Sequence, residues 1–420
     1  MSTFQTALSG LQAASTDLQV MGNNISNANT VGFKESNAQF ADAYASAIAG
    51  TAPQTGQVGI GTSVQTVAQQ FSQGNISATS NPLDVAINGS GFYQLNYNGS
   101  TVYSRNGQFQ LDQNGYIVDA AGGQLQGTPA VSGKLTGGSG PMQITQTTLA
   151  PSGTTSIGLQ VNLDSSSSPI SGSGSGKINI NDPTSYNWST STTVYDSLGQ
   201  SHILTTYYAL SSGSAATWNV AYSLSGTSGA SGNITSGQFT TPMAFDGNGS
   251  LTSGASGAIT VPSSGLGSFS DGASGVTLTV NFTGSTDYST ASTVNNVTNN
   301  GYGVGQLSNL SIDPSGIIYG RYSNGQSAIL GQITLTNFRA PQGLQRIGNN
   351  YFVPTYASGQ PLTGSPGSGG LGSLQSSAVE ESNVDLSTQL VDLIVAQQAY
   401  QANAQTIKTQ NQVVQTLLTL

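Results

Sequence analysis

Charged residues are scarce in this sequence. Only 6% of its 420 residues are Asp, Glu, Lys or Arg, against about 25% in a typical soluble domain. The eight Lys and Arg residues are spread over the whole chain, so they cannot form the basic surface that follows a phosphate backbone. We therefore expect no binding to nucleic acid.

The sequence also lacks cysteine and long apolar runs. Without cysteine the chain cannot form disulfides or thiolate metal sites. No run of about 18 apolar residues occurs, so no membrane insertion is expected. The first basic residue is Lys34, whereas a secretory signal peptide has basic residues near its start. Because the Ser-, Thr-, Gly- and Asn-rich composition is typical of extracellular bacterial proteins, we expect an extracellular location reached by a dedicated route, without a cleaved signal peptide.

Residues that commonly carry catalysis are few. The single histidine, His202, lies in a predicted strand and no GxSxG motif is present, so a Ser–His–Asp triad is not indicated. Glu380 and Glu381 are adjacent and would point apart at the start of a helix, which makes them a poor acid–base pair. We predict that the protein is not an enzyme and that it binds no cofactor or metal.

Both ends of the sequence carry the heptad pattern of a coiled coil, with apolar residues at alternating steps of three and four. The N-terminal row includes Phe4, Leu11, Leu18 and Ile25, and the C-terminal row includes Leu386, Leu393, Tyr400, Ile407 and Val414. We predict that the two helices pair with each other. A pair of helices alone is marginally stable in water, so neighbouring copies should cover the remaining apolar surface. An ordinary amphipathic helix on a domain core is the alternative.

The sequence also marks the start of the C-terminal helix and several turns. Ser382 stands three residues before Asp385, an arrangement similar to a capping box. Asp-x-x-Gly recurs at 112–115, 246–249 and 313–316 between short alternating runs, which predicts type I turns with a left-handed Gly between strands. A calcium loop is the alternative, although none of the three has the required spacing of acidic ligands.

The chain order predicts a multi-domain α+β protein with two nested all-β domains, the second inserted in the first. The predicted segments are a terminal coiled coil at 1–30 and 380–420, linkers at 31–74 and 358–379, a first β domain at 75–147 and 300–357, and an inserted outer β domain at 148–299. The linkers are assigned from Gly-, Ser- and Pro-rich composition, which buries too little to form a core.

Three segments resemble the bacterial flagellar axial family of rod, hook and junction proteins. They are "GNNISNANTVGFKE" at 22–35, "NPLDVAINGSGFY" at 81–93 and "SNVDLSTQLVDLIVAQQAYQANAQTIKTQNQ" at 382–412. Further segments, such as "GLQRIGNNYFVPTYASG" at 343–359, are most similar to the hook members. The residues that match the family turn after the first helix are Asn23, Asn24, Asn27, Thr30, Gly32 and Phe33. Simple helix termination, which needs no contact between subunits, is the alternative.

The resemblance implies a structural subunit of the flagellar hook, a flexible curved tube that transmits torque from the rod to the filament as a universal joint. It implies self-association into a helical polymer. It also implies contacts with the distal rod protein, the hook cap protein, the hook–filament junction protein and the flagellar export apparatus. A distal rod protein and a secreted β-rich adhesin are the alternatives.

Overall fold

One long helix lies at each end of a chain that is otherwise mostly β. The computed structural model describes residues 2–43, 59, 61–170, 178–212, 216–225, 233–261, 269 and 272–418. The helices are α1 (Ser2–Ser26) and α2 (Leu386–Leu418), and each has an apolar stripe at helical spacing. Within the described residues, neither helix is apolar enough over a sufficient length to cross a membrane.

Helix α2 begins at Leu386, inside the predicted helical segment at 380–420. Residues 378–380 form a strand, so the chain is still extended where the helical segment was expected to start. The N-cap is Asp385, whose Oδ1 accepts the backbone N–H groups of Ser387 (2.8 Å) and Thr388 (3.2 Å). The predicted pair of Ser382 and Asp385 is therefore wrong in its geometry, because Asp385 is the cap itself.

The chain divides into two compact units. Unit 1 comprises Met1–Gln146, Asn309–Arg321 and Ser327–Leu420, and unit 2 comprises Thr147–Ser308 and Tyr322–Gln326. Each unit has its own buried core and is described separately below.

The strands are numbered in chain order. The first strands of unit 1 are β1 (Ser36–Ala43), β2 (Gly61–Gln69), β3 (Ile76–Ala78), β4 (Val85–Asn88), β5 (Phe92–Tyr97), β6 (Ser100–Ser104), β7 (Phe109–Leu111), β8 (Ile117–Asp119), β9 (Gln124–Val131), β10 (Lys134–Leu135) and β11 (Gly140–Pro141). Unit 2 contains β12 (Thr148–Leu149), β13 (Ser156–Asp164), β14 (Trp188–Tyr195), β15 (Ser201–Leu210), β16 (Thr217–Ser225), β17 (Asn233–Gln238), β18 (Met243–Phe245), β19 (Leu251–Ser253), β20 (Ser256–Val261), β21 (Val276–Asn281), β22 (Thr286–Tyr288) and β23 (Thr293–Asn299). Residues of both units contribute to β24 (Gly305–Ile312) and β25 (Ile317–Tyr322). The chain continues in unit 1 through β26 (Ser327–Ile333), β27 (Leu335–Asn337), β28 (Gln345–Gly348), β29 (Tyr351–Val353), β30 (Leu362–Gly364), β31 (Ser373–Ser376) and β32 (Ala378–Glu380). Two short 3-10 helices lie at Pro183–Ser185 and Pro341–Gly343.

Unit 1 is built on an antiparallel sheet in which β26, β9, β5, β6, β29 and β28 are neighbours in that order. One end of this sheet carries a cluster of buried aromatic rings. Phe92 meets Phe338 and Phe352 edge to face, with ring centroids 5.9 and 5.8 Å apart. Such pairs contribute about 0.5–1.5 kcal/mol beyond their buried area, so this cluster stabilises the part of the sheet that contains β5 and β29.

Unit 2 buries a separate core between two sheets. One sheet has the order β14-β15-β16-β18-β19, and the other has β20-β21-β13-β22. Trp218, Tyr208 and Phe282 are among its fully buried large side chains. His202 is buried too, and its Nε2 lies 2.9 Å from Asp196 Oδ2. The structure thus places the single histidine in packing inside the unit.

The two predicted linker ranges are not simple linkers. The range 31–74 contains the antiparallel pair β1 and β2, while its residues 44–58 and 60 lie outside the described part of the chain. In 358–379, β30 pairs with β27 and β31 pairs with β4. Leu374 and Ala378 are buried, because these short segments pair with strands that lie far away in sequence. The Gly-rich composition of the range did not indicate these strands.

The predicted Asp-x-x-Gly turns are confirmed. Asp112 Oδ1 accepts the backbone N–H groups of Asn114 and Tyr116, each at 2.8 Å, and Gly115 has φ +82°. Asp246 and Asp313 make the corresponding turns. Since this carboxylate oxygen is held by backbone donors in each turn, its role there is to stabilise the turn.

Candidate assembly site at the junction of the two chain ends

Helices α1 and α2 pack against each other through small and polar residues. A Cβ on Gly10 would lie only 2.9 Å from Asn403 Oδ1, so the two helices approach closely at this point. On α2, Gln389 and Ala396 are buried, and together with Asn403 they form a row with a spacing of seven residues. The face of α2 that contacts α1 is therefore displaced around the helix axis from the predicted apolar row. Small side chains at the contact allow the two helix backbones to come closer than Leu would.

The predicted apolar rows are only partly covered in a single chain. Leu11, Leu18, Ile25, Leu393 and Ile407 are half-buried, whereas Phe4, Leu386, Tyr400 and Val414 are exposed by 39%, 42%, 38% and 46%. A single chain therefore covers the first group in part and leaves the second group exposed to solvent.

A second set of exposed apolar residues was not among the predicted site residues. Leu8 on α1 and Val391, Ile394 and Val395 on α2 are all exposed. Val391, Ile394 and Val395 share one helix face because they are three and four residues apart. That spacing is visible in the sequence, but the heptad interpretation assigned the apolar face to the neighbouring row. The exposed apolar surface is consequently broader than one heptad row.

Asn24 is the centre of the turn motif. Its side chain is buried, and its Oδ1 accepts the backbone N–H of Ser36 at 3.0 Å. Its Nδ2 donates to the Ser36 carbonyl at 2.8 Å and to Gln389 Oε1 at 3.0 Å. One amide therefore connects α1, β1 and α2. Asn23 and Asn27 act locally, since Asn27 Nδ2 donates to the Asn23 carbonyl at 2.9 Å.

The remaining motif residues shape the turn itself. Thr30 Oγ1 donates to Asn27 Oδ1 at 3.2 Å. Gly32 has φ +71°, and a Cβ there would lie 2.6 Å from the backbone nitrogen of Asn106. This position therefore requires Gly for two independent reasons. Phe33 is buried. Gly32 N–H donates to the Glu380 carbonyl at 2.8 Å, so the motif also joins the turn after α1 to the strand before α2.

A buried ionic cluster, which the sequence analysis did not anticipate, lies directly after this turn. Glu380 Oε1 accepts from Lys34 Nζ at 2.6 Å and from the backbone N–H of Gly74 at 3.0 Å. Arg105 Nε lies 3.0 Å from Glu380 Oε2. The side chains of Lys34 and Glu380 are both 0% exposed and that of Arg105 is 4% exposed. The cluster joins the segment after α1, the loop after β6 and the strand before α2.

The cluster is well supplied with further donors and acceptors. Lys34 Nζ also donates to the Ser72 carbonyl at 2.7 Å, and Arg105 Nη1 donates to the carbonyls of Gly89 and Gly91. Burial lowers the pKa of Lys34, and Glu380 opposes that shift. These bonds satisfy most polar atoms of the cluster, whereas Arg105 Nε and Glu380 Oε2 form an ion pair without hydrogen-bond geometry. A buried charge group persists when such partners compensate for its desolvation.

Asp17 of α1 and Glu35 are influenced by carboxylates of the N-terminal part of α2. Burial, and then the charge of Asp392, raise the pKa of Asp17. The pKa of Glu35 is raised by burial, then by Asp392, then by Asp385. Glu35 Oε1 accepts a hydrogen bond from Gln389 Nε2 at 3.1 Å. The packing of the helices is therefore coupled to the protonation of Asp17 and Glu35.

Models of flagellar protein families match successive parts of the chain. The "flagella basal body rod protein" model matches residues 4–34, and the "flagellar hook protein FlgE/F/G D1 domain" model matches 86–180. The "flagellar basal body protein FlaE D2 domain" model matches 162–302, and the "flagellar basal body rod FlgEFG protein C-terminal" model matches 375–420.

Similarity to known hook proteins extends over the full length. The chain is 40% identical to the flagellar hook protein FlgE of Salmonella typhimurium over 429 residues, covering 100% of both chains. It is 39% identical to that of Escherichia coli, covering 99% of both, and 32% identical to that of Borreliella burgdorferi, covering 100% of this chain and 99% of the relative. The crystal structure of Helicobacter pylori flagellar hook protein FlgE2 has a similar fold, with a TM-score of 0.50 and 16% identity over 72% of this chain and 100% of that one. By its full-length similarity, the chain belongs to the flagellar hook protein family.

Proposed function

We propose that the protein is the structural subunit of a flagellar hook that polymerises into a flexible, curved tube and transmits torque as a universal joint. The observation that carries the proposal is the exposed apolar surface of α1 and α2 in a chain of the hook protein family. An exposed apolar surface of this kind marks an interaction site. The full-length similarity supports a hook protein over the distal rod protein or the β-rich adhesin.

The paired helices form the coiled-coil core of this proposed polymer. In the single chain, Gly10 and Ala396 let α1 and α2 pack closely, while Val391, Ile394 and Val395 stay exposed on the other side of α2. One surface of each copy binds a different surface of the next copy, which is a heterologous contact. Such contacts repeat along the polymer without closing it into a ring. Filament growth then buries the rows Phe4–Ile25 and Leu386–Val414 between copies.

Unit 2 acts in this proposal as an outer insertion in the β domain of unit 1, facing the surface of the tube. Residues 148–299 contain a single Lys and no Arg or Glu. The same range contains six Asp, but cations are nearly absent from it, so copies of such surfaces have few partners for ion pairs. Contacts between them are water-mediated. Neighbouring copies could therefore shift relative to one another as the tube bends.

The remaining parts of the proposal concern location and partners. A hook subunit lies outside the cell, in the flagellum. One end of the tube contacts the distal rod protein and the other contacts the hook–filament junction protein. The subunit contacts the export apparatus before assembly and the hook cap protein while the tube grows. Apart from self-association, these partners are inferred from the family alone.

The function is tested by polymerisation of purified chain, followed by electron microscopy. We expect short curved tubes from the unmodified chain. Val395→Asp should prevent polymerisation because it buries an unpaired charge between copies, while leaving the single chain folded because Val395 is 59% exposed there. Val395→Thr, which keeps the side-chain shape, is the matched control and should polymerise. Straight rods, or tubes formed equally well by Val395→Asp, would contradict the proposal.

A further inference from the structure

A cation without a carboxylate partner lies beside the junction of the chain ends. The guanidinium of Arg346, on β28, lies 4.8 Å from the ring centroid of Phe33. Its Nη1 donates to Ser36 Oγ at 3.3 Å. Within the described part of the chain, Arg346 forms no ion pair with a carboxylate, in contrast to Lys34 and Arg105.

Arg346 lines a groove of about 470 Å³ in unit 1. Thr16, Val20 and Asn23 of α1 form one wall, and Val67 and Gln69 of β2 form another. Val67 is exposed, and Gln69 Oε1 is buried without a hydrogen-bond partner among the described residues. The groove therefore combines an apolar wall with a guanidinium that lacks a carboxylate partner. Gln69 Oε1 is an acceptor and would take a hydrogen bond only from a donor.

Burial of this cation is costly in the single chain. Arg346 is half-buried, and burial lowers its pKa from the ordinary value. A guanidinium nevertheless stays protonated in proteins, so the site does not become neutral by losing a proton. Stacking on an aromatic ring compensates only in part. A negative group entering the groove would supply the missing interaction.

We propose that this groove receives a carboxylate from a neighbouring copy of the same chain. The inference rests on the proposed function, because it requires the polymer. A helical polymer presents every subunit with further copies of itself, and each copy has 17 acidic residues against 8 basic ones. Asp42 and Glu381 are examples of exposed carboxylates in unit 1. A planar, bidentate pair with the guanidinium would fix the register between copies.

The first experiment compares the critical concentration for polymerisation among variants. Arg346→Gln should raise it at least about tenfold, because truncating one side of a desolvated charge pair weakens association strongly. Arg346→Lys should have a smaller effect, since it keeps the charge and loses the fork. Arg339→Gln, an exposed position in the same unit, removes the same charge and should leave the critical concentration unchanged.

The outcomes separate the inference from the proposed function. If the unmodified chain forms no polymer, the proposed function fails. If it forms tubes and Arg346→Gln forms them at the same concentration, the groove inference is overturned. A melting curve of each single chain shows whether loss of the contact with Phe33 has disturbed the fold.

A second measurement does not depend on the stability of Arg346→Gln. Polymers of Arg346→Lys, assembled from isotope-labelled and unlabelled chains, are treated with a carbodiimide. This reagent activates a carboxylate, and the amine at position 346 displaces the resulting urea to form an amide. We expect an amide between a labelled and an unlabelled chain at this position. Its absence, or an amide within one chain only, would overturn the inference.

Discussion

At the residue scale, four charged residues that are far apart in sequence lie near the junction of the chain ends. Lys34 and Arg105 bind Glu380, and Arg346 lies over Phe33 in the same unit, so three of the eight basic residues serve the junction of the chain ends. A buried carboxylate with two cations and a backbone donor is costly to desolvate, but it admits few alternative arrangements. The cluster therefore fixes where the strand before α2 lies relative to the turn after α1.

Substitution of Glu380 tests the cluster directly. Glu380→Gln leaves Lys34 and Arg105 buried without a counter-charge, and we expect a loss of about 3–5 kcal/mol in the free energy of unfolding. Urea denaturation of the single chain measures this loss. Glu381→Gln is the matched control, because the neighbouring side chain is exposed and accepts a hydrogen bond from Asn75 at the surface. An equal and small effect of both substitutions would show that the cluster does not stabilise the fold.

Asp17 and Glu35 predict how the helix junction responds to pH. Their pKa values are raised in the folded chain, so the folded state binds more protons than the unfolded state. The stabilisation is therefore fully present below the ordinary carboxyl pKa of about 4 and is lost as the pH rises through the raised values. We therefore expect the melting temperature of the helices, followed by circular dichroism, to be higher near pH ~4, at the lower end of this window, than at neutral pH.

Asp392→Asn separates this effect from general acid unfolding. The substitution removes a charge that raises the pKa of both Asp17 and Glu35, so the difference in melting temperature across the window should shrink. Asp42→Asn, at an exposed position of β1, should leave the difference unchanged. If Asp392→Asn and Asp42→Asn melted alike across the window, this coupling would be ruled out.

At the element scale, the sequence determined which parts are helical and where turns lie, but not which faces meet. The heptads predicted two terminal helices, and the Asp-x-x-Gly pattern predicted turns, because both signals are local. The rotated face of α2 depends on the close approach at Gly10 and Asn403, which are far apart in sequence. The pairing of β31 with β4 and of β32 with β3 was hidden for the same reason. The ionic cluster could not be predicted, since residues 34, 105 and 380 meet only in the folded chain.

Two glycines of α1 test the close packing of the helices. Gly10→Val should lower the free energy of unfolding by about 1–3 kcal/mol, as overpacking usually does, because its Cβ would meet the Asn403 side chain at 2.9 Å. Gly22→Val is the matched control, as no atom lies within 4 Å of a Cβ there. It should be neutral or slightly stabilising, since Val has a higher helix propensity than Gly. Equal effects at both positions would place the α1–α2 contact elsewhere.

At the scale of the whole molecule, the two units differ in chemistry in a way that suits two different tasks. Unit 1 holds both chain ends, the ionic cluster and the exposed apolar faces of the helices. Unit 2 has a well-packed core and an outermost strand, β23, that is exposed along its whole length and consists of Thr, Val and Asn. Strong, specific contacts would come from the first unit and weak, adjustable ones from the second.

Removal of residues 148–299, replaced by a short Gly/Ser linker, tests this division. Polymerisation should persist, because the apolar rows and the ionic cluster all lie in the part that remains. The tubes should be thinner, and their curvature and bending stiffness should change, because the adjustable polar contacts between copies are gone. Electron microscopy gives the curvature, and the spread of tube shapes gives the stiffness. Tubes of unchanged shape and stiffness would show that bending is set by unit 1 alone, whereas loss of polymerisation in a folded variant would show that unit 2 also holds the copies together.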